Sequence, residues 1–245
     1  MFETITLPYW LIGATILTVA YLVRGIAGFG SGLIAIPLLA LYAPLTLVVP
    51  LVVFLDYVAS ASHGLKDRLH VQWKELRPLL PFSAIGVVAG IYLFKTIDAS
   101  LLANGLGLFV IFYAIYTLFN RDNGGSTSPL WAAPVGLLGG LIGTMFGTGG
   151  PFYVVYLKHR GLSKTEFRAT FATIFLLDGA VRLIGYLTSG YFNAEWLMLT
   201  AVALPIMALG LYIGGHIHTR ISARSFQIAI SVLLIGSGIS LLLRT

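Results

Sequence analysis

The sequence contains no cysteine among its 245 residues. Disulfide bonds, thiolate nucleophiles, iron–sulfur clusters and cysteine-ligated zinc are therefore excluded. Charge is scarce as well, because Asp, Glu, Lys and Arg make up 10% of the chain, compared with roughly 25% in a typical soluble domain. Apolar residues take their place at 58%, together with 28 glycines. This composition predicts a membrane protein.

Long stretches without a charged residue run through the chain. None of the residues between Glu3 and Arg24, or between Arg24 and Asp56, is charged. A helix needs about 20 apolar residues to cross the hydrocarbon core of a bilayer. The start of the chain lacks the basic residues and cleavage pattern of a secretory signal, so we expect the first segment to remain. Apolar helices are predicted over residues 7–24, 31–41, 45–65, 78–95, 100–119, 131–145, 150–158, 168–189, 196–216 and 224–243.

The two sides of a polar stretch at Asn120–Pro129 have the same organisation. FGSG at Phe29–Gly32 corresponds to FGTGG at Phe146–Gly150, and FLD at Phe54–Asp56 resembles FLLD at Phe175–Asp178. The stretches 79–90 and 203–214 align one proline and two glycines in the same order. We therefore predict an internal repeat, with an N-terminal transmembrane repeat at 1–120, a linker at 121–129 and a C-terminal transmembrane repeat at 130–245.

Basic residues are concentrated in three loops, at 66–77, 158–168 and 220–224, whereas the connections at 42–46 and 190–193 have none. The positive-inside rule places all three in the cytoplasm only if each glycine-rich break is the tip of a hairpin that enters and leaves on one face. Three crossings then follow each hairpin, and the second half is inverted. The predicted fold is an all-α polytopic membrane protein of two inverted repeats, as in many secondary transporters. These loops also explain the net charge of +6 without nucleic acid as a partner.

The two glycine-rich breaks are the first candidate site. Backbone that leaves helical geometry at membrane depth must be buried in protein or line a wet cavity. An apolar helix follows each break, and its first N–H groups favour an anion. Positive φ angles are expected at Gly30 and Gly149. The alternative for glycines, close helix packing, is expected at Gly105, Gly107, Gly136, Gly139, Gly140, Gly236 and Gly238. The predicted substrate-binding residues are Arg24, Gly28, Phe29, Gly30, Ser31, Gly32, Phe146, Gly147, Thr148, Gly149 and Gly150.

Ionisable residues at membrane depth are the second signal, because such residues are costly to insert. Asp178 and Arg182 are four residues apart and can pair on one helix face. For these two residues and for Asp56, a structural role and a role in substrate or proton handling both remain open. Arg24 either meets the charge of an anion or extends to the membrane interface. No set of His, Asp and Glu has metal-binding spacing, and no cofactor is predicted.

Three stretches carry a family resemblance, namely GIAGFGSGLIAIPLL, GLLGGLIGTMFGTGGPFYVVYL and LLPFSAIGVVAG. Here, and over essentially the whole chain, the sequence resembles the sulfite exporter TauE/SafE family of bacterial and archaeal transporters. The resemblance implies a multi-pass protein of the inner (plasma) membrane, with two related halves. It also implies transport of sulfur-containing anions such as sulfite, sulfoacetate or other organosulfonates. Pro151, directly after the second set of glycines, suits the first turn of a helix.

The sequence thus predicts a secondary transporter for a small anion, namely sulfite, an organosulfonate or a related carboxylate, working by alternating access. An anion channel with the same glycine breaks is the alternative, and an integral partner subunit is a third. An enzyme is disfavoured, because no nucleophile or metal constellation lies at membrane depth. The lipid bilayer and the anion are the predicted partners, and a homodimer is compatible with the sequence.

Overall fold

The computed structural model describes residues 7–64, 68–119, 128–217 and 223–244, and the regular structure in these ranges is helical. One-turn 3₁₀ helices at Arg68–His70 and Pro129–Trp131 lie before the fourth and sixth α-helices. The α-helices are α1 (Leu7–Ala27), α2 (Ser31–Leu39), α3 (Leu45–Gly64), α4 (Trp73–Thr96), α5 (Ala99–Phe119), α6 (Ala132–Phe146), α7 (Gly150–Lys158), α8 (Lys164–Thr188), α9 (Ala194–His216) and α10 (Ala223–Arg244).

Each helix predicted from the sequence has its counterpart, but α4 and α8 begin earlier than predicted. α4 takes in Lys74, Glu75 and Arg77, which the charge pattern assigns to a loop. α8 begins at Lys164, because Ser163 accepts a hydrogen bond from the N–H of Glu166 while the Glu166 side chain accepts one from the N–H of Ser163. This capping box, recognisable in the sequence, determines the start of α8.

Seven of the described helices are long and apolar enough to cross a membrane. The candidates are α1, α4, α5, α6 with its preceding 3₁₀ turn, α8, α9 and α10. At a rise of about 1.5 Å per residue, helices of this length match the hydrocarbon core. The sequence predicts α3 as a full crossing; the apolar segment found in it, Leu45–Ala61, is shorter than these seven and contains Asp56. α2 and α7 have nine residues each, too few to cross.

The helices form two compact units. The first consists of Met1–Val48, Asp98–Arg121 and Leu197–Thr245, and the second of Val49–Ile97 and Asp122–Trp196. Each unit thus takes helices from both sides of the predicted linker, most of which lies outside the described residues. The division into repeats at this linker rests on sequence similarity and stays a prediction.

In the first unit, α2 returns along α1. Gly13 on α1 faces the end of α2, since a Cβ atom at this position would lie 3.9 Å from Leu39 Cδ2. The Tyr9 ring, near the start of α1, packs edge-on against Tyr42, just after α2, with 6.1 Å between the ring centroids. The hairpin therefore begins and ends at the same end of this unit.

The second unit contains a matching hairpin of α6 and α7. The Tyr153 side chain of α7 packs against Gly139 of α6. Beyond the end of α7, Arg160 forms an ion pair of 2.6 Å with Glu75 in the first turn of α4. This hydrogen-bonded carboxylate raises the pKa of Arg160. α6 begins at the same end, because Gly136 lies directly against the backbone of Leu79.

Paired glycines set the helix packing in both units. On α4, Gly86 lies against the backbone of Leu137 and Leu141, and Gly90 lies against Leu141 and Thr144, so α4 and α6 run parallel. On α9, Gly210 faces Thr18 and Tyr21, and Gly214 faces Leu22 and Gly25, so α9 and α1 run parallel as well. A side chain at Gly86 or Gly214 would collide with the neighbouring backbone, and one at Gly90 or Gly210 would be tightly crowded, which explains the four-residue glycine spacing. The pairs 86/90 and 210/214 are those that align in the sequence.

Two of the predicted cytoplasmic loops lie side by side in the second unit. The backbone N–H of Gln72 donates to Thr170 Oγ1 at 2.9 Å, and its side-chain amide donates to Glu166 Oε1. Together with the Arg160–Glu75 pair, these bonds bring the start of α4 to the connection between α7 and α8. Of the residues that define the three basic loops, Lys66 and Arg220 lie outside the described residues.

Candidate functional site

The first break turns on two glycines in the left-handed region. Gly28 has φ of 86° and Gly30 has φ of 99°, angles that a residue with a Cβ atom adopts only with strain. The N–H of Gly28 still donates to the carbonyl of Arg24 at 2.7 Å, so α1 ends in a tight turn. Phe29, between the glycines, is half-buried. A Cβ atom at Gly30 would meet no atom within 4 Å, so there is open space beside this residue.

An arginine and a hydroxyl meet at this break. Arg24, in the last turn of α1, donates from Nη1 to Ser31 Oγ at 2.9 Å. Both side chains are buried, as is Gly32 in the first turn of α2. The first N–H groups of a helix have no acceptor within it, so they give this end a partial positive charge. The structure thus places the Arg24 side chain at the break, and its role in anion binding stays a prediction.

The second break is built differently. Its left-handed residue is Gly147, with φ of 62°, whereas Gly149 has an ordinary helical φ of −69°. The expectation of a positive φ at Gly149 is therefore wrong. Residue 149 is a glycine for a steric reason, because a Cβ atom there would collide with the carbonyl oxygen of Gly139 and lie 3.0 Å from Gly143 Cα.

Four further residues complete the second break. Phe146, the last residue of α6, is buried, and Gly150 is the first residue of α7, next to the rings of Phe171 and Phe175. Pro151 stands in the first turn of α7, as expected. Thr148 is 2% exposed, and its hydroxyl has no hydrogen-bond partner among the described residues. A buried hydroxyl without a partner carries a desolvation cost, which a ligand oxygen can relieve.

The ion pair predicted from the four-residue spacing of Asp178 and Arg182 is present on α8. Asp178 also accepts hydrogen bonds from Ser83 at 2.8 Å and from Tyr153 at 2.9 Å. The Ser83 and Tyr153 hydroxyls are 3.0 Å apart. Helices α4, α7 and α8 thus share one buried polar cluster, and Asp178 and Arg182 are 4% and 2% exposed.

The guanidinium of Arg182 lies at the second break. Its Nη2 donates to the carbonyl of Gly139 at 3.2 Å and lies 3.2 Å from the Cβ position of Gly149. A side chain at Gly143 would collide with the same guanidinium. Arg182 Nε is buried and has no hydrogen-bond partner among the described residues. The cation therefore retains an N–H donor that the described residues leave unused.

Sequence reasoning missed two contributors. Gly143, which makes room for Arg182, is not among the residues that the sequence singles out, and Gly139 packs against Tyr153 as expected but also accepts a hydrogen bond from Arg182. The density of small residues on α6 was the available signal. Asp56 lies on α3 in the second unit and is 4% exposed, and its role stays a prediction. Within the described parts of the chain, no group of three His, Asp or Glu residues could hold a metal ion.

Each unit therefore contains groups of the kinds that can bind an oxyanion. In both, a helix begins at a glycine break and a hydroxyl stands at its start, with a buried arginine beside the break. Charge-assisted hydrogen bonds from N–H and O–H groups suit the oxygen atoms of a carboxylate, sulfite or sulfonate.

Comparison with known proteins agrees with this chemistry. The model of a family described as sulfite exporter TauE/SafE matches residues 12–241. A relative in Comamonas testosteroni, named "Probable inner membrane transporter protein TsaS", is 29% identical over 197 residues, covering 78% of this chain and 81% of the relative. Another in Cupriavidus necator, named "Probable sulfite/organosulfonate exporter TauE", is 27% identical over 241 residues, covering 89% of this chain and 88% of the relative. No solved structure matches the chain.

The family match extends over nearly the whole chain and includes both glycine breaks. Together with the seven candidate membrane-spanning helices, it makes the protein a multi-pass transporter of the inner membrane and not an enzyme. The chain belongs to the sulfite exporter TauE/SafE family of membrane transporters.

Proposed function

We propose that this transporter moves a small sulfur oxyanion, sulfite or an organosulfonate, and binds its oxygen atoms at the glycine breaks. The observation that carries the proposal is at the second break, where the Thr148 hydroxyl and Arg182 Nε are buried donors without a partner among the described residues. An unmade hydrogen bond costs about 1–3 kcal/mol for a buried group. Bound sulfonate oxygens remove that cost, which favours the occupied state. The names of both relatives support transport, and one names sulfite and organosulfonates.

Arg24 and Ser31 provide the corresponding groups at the first break. Ser31 accepts a hydrogen bond from Arg24 with its hydroxyl oxygen, which keeps the guanidinium at the break. The open space at Gly30 and the first turn of α2 give an anion access to backbone N–H groups. Phe29, Gly28 and Gly32 complete the first break.

Movement by alternating access between two inverted repeats belongs to the same proposal. Its support is that the parallel packing of α4 on α6 recurs in α9 on α1, through glycines that align in the sequence. The α6–α7 hairpin opens at the end that carries basic residues. The α1–α2 hairpin opens beside the connection 42–46, which has none. The positive-inside rule then gives the halves opposite orientations.

Binding tests the site. Purified protein in detergent is titrated with sulfite, sulfoacetate and methanesulfonate, and the thermal shift and the calorimetric Kd are recorded. We expect saturable binding that weakens in Thr148→Val. The matched control is Thr117→Val, since the Thr117 hydroxyl already has a partner in Ser231, on helix α10. Absence of binding by all three anions, or an equal loss in both variants, contradicts the proposed site.

Transport separates the alternatives. In proteoliposomes, a transporter shows saturable uptake and counterflow of labelled sulfoacetate when unlabelled anion is placed inside. An anion channel shows neither saturation nor counterflow, and this result would replace alternating access with the channel alternative.

A further inference from the structure

The cluster around Asp178 is electrically neutral before an anion arrives. Asp178 carries one negative charge and Arg182 one positive charge, and both side chains are buried. A monovalent anion that bound to Arg182 Nε would leave the cluster with a net charge of −1. An uncompensated charge in a low-dielectric interior is costly, so a compensating positive charge must accompany the anion.

The groups that face Asp178 come from several helices. α4 contributes Ser83, α7 contributes Tyr153, and α8 contributes Arg182 one turn further on. Tyr186 follows on α8 and donates to the carbonyl of Thr144 on α6, while Tyr57 of α3 packs against Gly179. Arg182 is thus the charge that balances the carboxylate, and Asp178 is the acid of the cluster that can take up a proton.

The hydrogen bonds around Asp178 allow both protonation states. When Asp178 is ionised, the Ser83 and Tyr153 hydroxyls donate to it. Because these hydroxyls are 3.0 Å apart, either can donate to the other. A protonated Asp178 can therefore donate to one hydroxyl while that hydroxyl turns its own proton to the other. Neither state leaves a buried acceptor or donor of this trio without a partner.

We infer that Asp178 takes up one proton when an anion binds at the second break, so that anion and proton occupy the transporter together. Arg182 then exchanges its counterion, from the Asp178 carboxylate to the bound anion. No covalent bond changes, and the proton comes from solution. The inference rests on the proposed function, because it requires an anion at Arg182 and Thr148, and it adds the coupling ion and a stoichiometry of one to one.

The test measures proton uptake directly. Methanesulfonate is the probe, because it keeps its negative charge near neutral pH and takes up no proton itself. It is added to wild-type protein in weakly buffered solution without sulfonate buffers, and the pH change is recorded. We expect close to one proton per bound anion. Because binding and proton uptake are linked, Kd should rise about tenfold for each unit of increasing pH in the range where Asp178 takes up its proton.

Asp178→Asn provides the second measurement. An amide mimics the protonated carboxyl group, so this variant should bind methanesulfonate without proton uptake and with a Kd that does not change with pH. Its Kd near neutral pH should be equal to or lower than that of the wild type, because Arg182 has lost its competing counterion. The control is Asp98→Asn, an exposed aspartate before α5, which should keep the wild-type pH slope.

The outcomes separate the inference from the proposed function. Methanesulfonate binding with no proton uptake by the wild type overturns the inference and leaves the anion site standing. An unchanged pH slope in Asp178→Asn also overturns it, because the proton is then held elsewhere. If neither methanesulfonate nor sulfite binds to the wild type at any pH tested, both the inference and the proposed function fail. The wild-type proton count does not depend on whether a variant folds.

Discussion

The first break, Gly28–Gly32, and the second, Gly147–Gly150, both turn a hairpin whose second arm is a nine-residue helix. They differ in the helix that supplies the arginine side chain. Arg24 reaches the first break from the helix that leads into it and bonds to Ser31. Arg182 reaches the second break from α8 and lies beside Gly143 and Gly149, which leave room for it.

The two breaks also differ in their donors. α2 begins with Ser31, Gly32 and Leu33, all of which have an N–H group, whereas Pro151 removes one such group from the first turn of α7. At the second break, the available donors are instead the Thr148 hydroxyl and Arg182 Nε, which have no partner among the described residues. The two breaks thus offer the proposed anion different mixtures of backbone and side-chain donors.

The largest effect is expected in cysteine labelling, which reports the side of the membrane at which each hairpin opens. Because the chain has no cysteine, single cysteines can be placed without background. Leu69→Cys and Leu130→Cys, at exposed positions near the starts of α4 and α6, should react with a membrane-impermeant maleimide from the cytoplasmic side only. Tyr42→Cys should react from the periplasmic side only.

A control for this mapping is Phe112→Cys in the middle of α5, which should stay unlabelled because lipid covers it. Labelling of Leu69→Cys and Leu130→Cys from opposite sides would contradict the hairpin of the second unit. Labelling of Tyr42→Cys from the cytoplasmic side would contradict the inverted repeats.

Next in size is the loss of anion binding when the glycines are replaced. Gly30→Val should abolish binding through backbone strain, while Gly30→Asn should retain part of it, because Asn tolerates positive φ and the space is open. At Gly149, both Val and Asn should abolish binding, because the collision with Gly139 is steric. Calorimetric Kd values after a check of monodispersity decide this.

The control for both glycines is Gly236→Val on α10, where a side chain meets no atom within 4 Å and the backbone is helical. Normal binding by both Gly30→Val and Gly149→Val would show that the anion does not bind at the two breaks.

A smaller effect is expected from breaking the buried ion pair. Arg182→Gln alone should lower the free energy of unfolding by about 3–5 kcal/mol, because it leaves Asp178 unpaired, and the double variant with Asp178→Asn should be milder. Thermal unfolding in detergent measures both. The control is Arg160→Gln, whose pair with Glu75 is partly exposed and should matter less. A double variant no milder than Arg182→Gln would show that the two residues do not act as a pair.

The smallest effects are expected from removing the Thr148 and Ser31 hydroxyls. In the protein without bound anion, the two changes should shift stability in opposite directions. Thr148→Val removes a buried hydroxyl without a partner among the described residues and should raise stability by about 1 kcal/mol. Ser31→Ala removes an acceptor of Arg24 and should lower it by about 1–2 kcal/mol. Both changes should weaken anion binding by at most about a hundredfold. Equal shifts of the melting temperature in the two variants would contradict the proposed difference between the two breaks.

Much of the fold could be read from local sequence. Runs of apolar residues predicted the positions of the helices, and the glycines predicted the positions of the breaks. Both were predictable because helix formation and a positive φ angle depend on residues close together in the sequence. The ion pair of Asp178 and Arg182 was predictable for the same reason, since one turn of helix brings them together. The early start of α4 was not predictable, because Glu75 and the charged residues near it are typical of a loop. Only the fold brings Arg160 beside Glu75.

Sequence alone therefore determined a multi-helical membrane protein with two glycine breaks, each beginning a short helix. Only the tertiary structure decided which cation serves the second break, because Arg182 reaches Gly139 across 43 positions of sequence. It also showed that Gly149 avoids a collision and does not supply a positive φ. Hydrogen bonds between distant segments depend on how helices pack, and packing is decided by the shapes of all the side chains together, which no local pattern records.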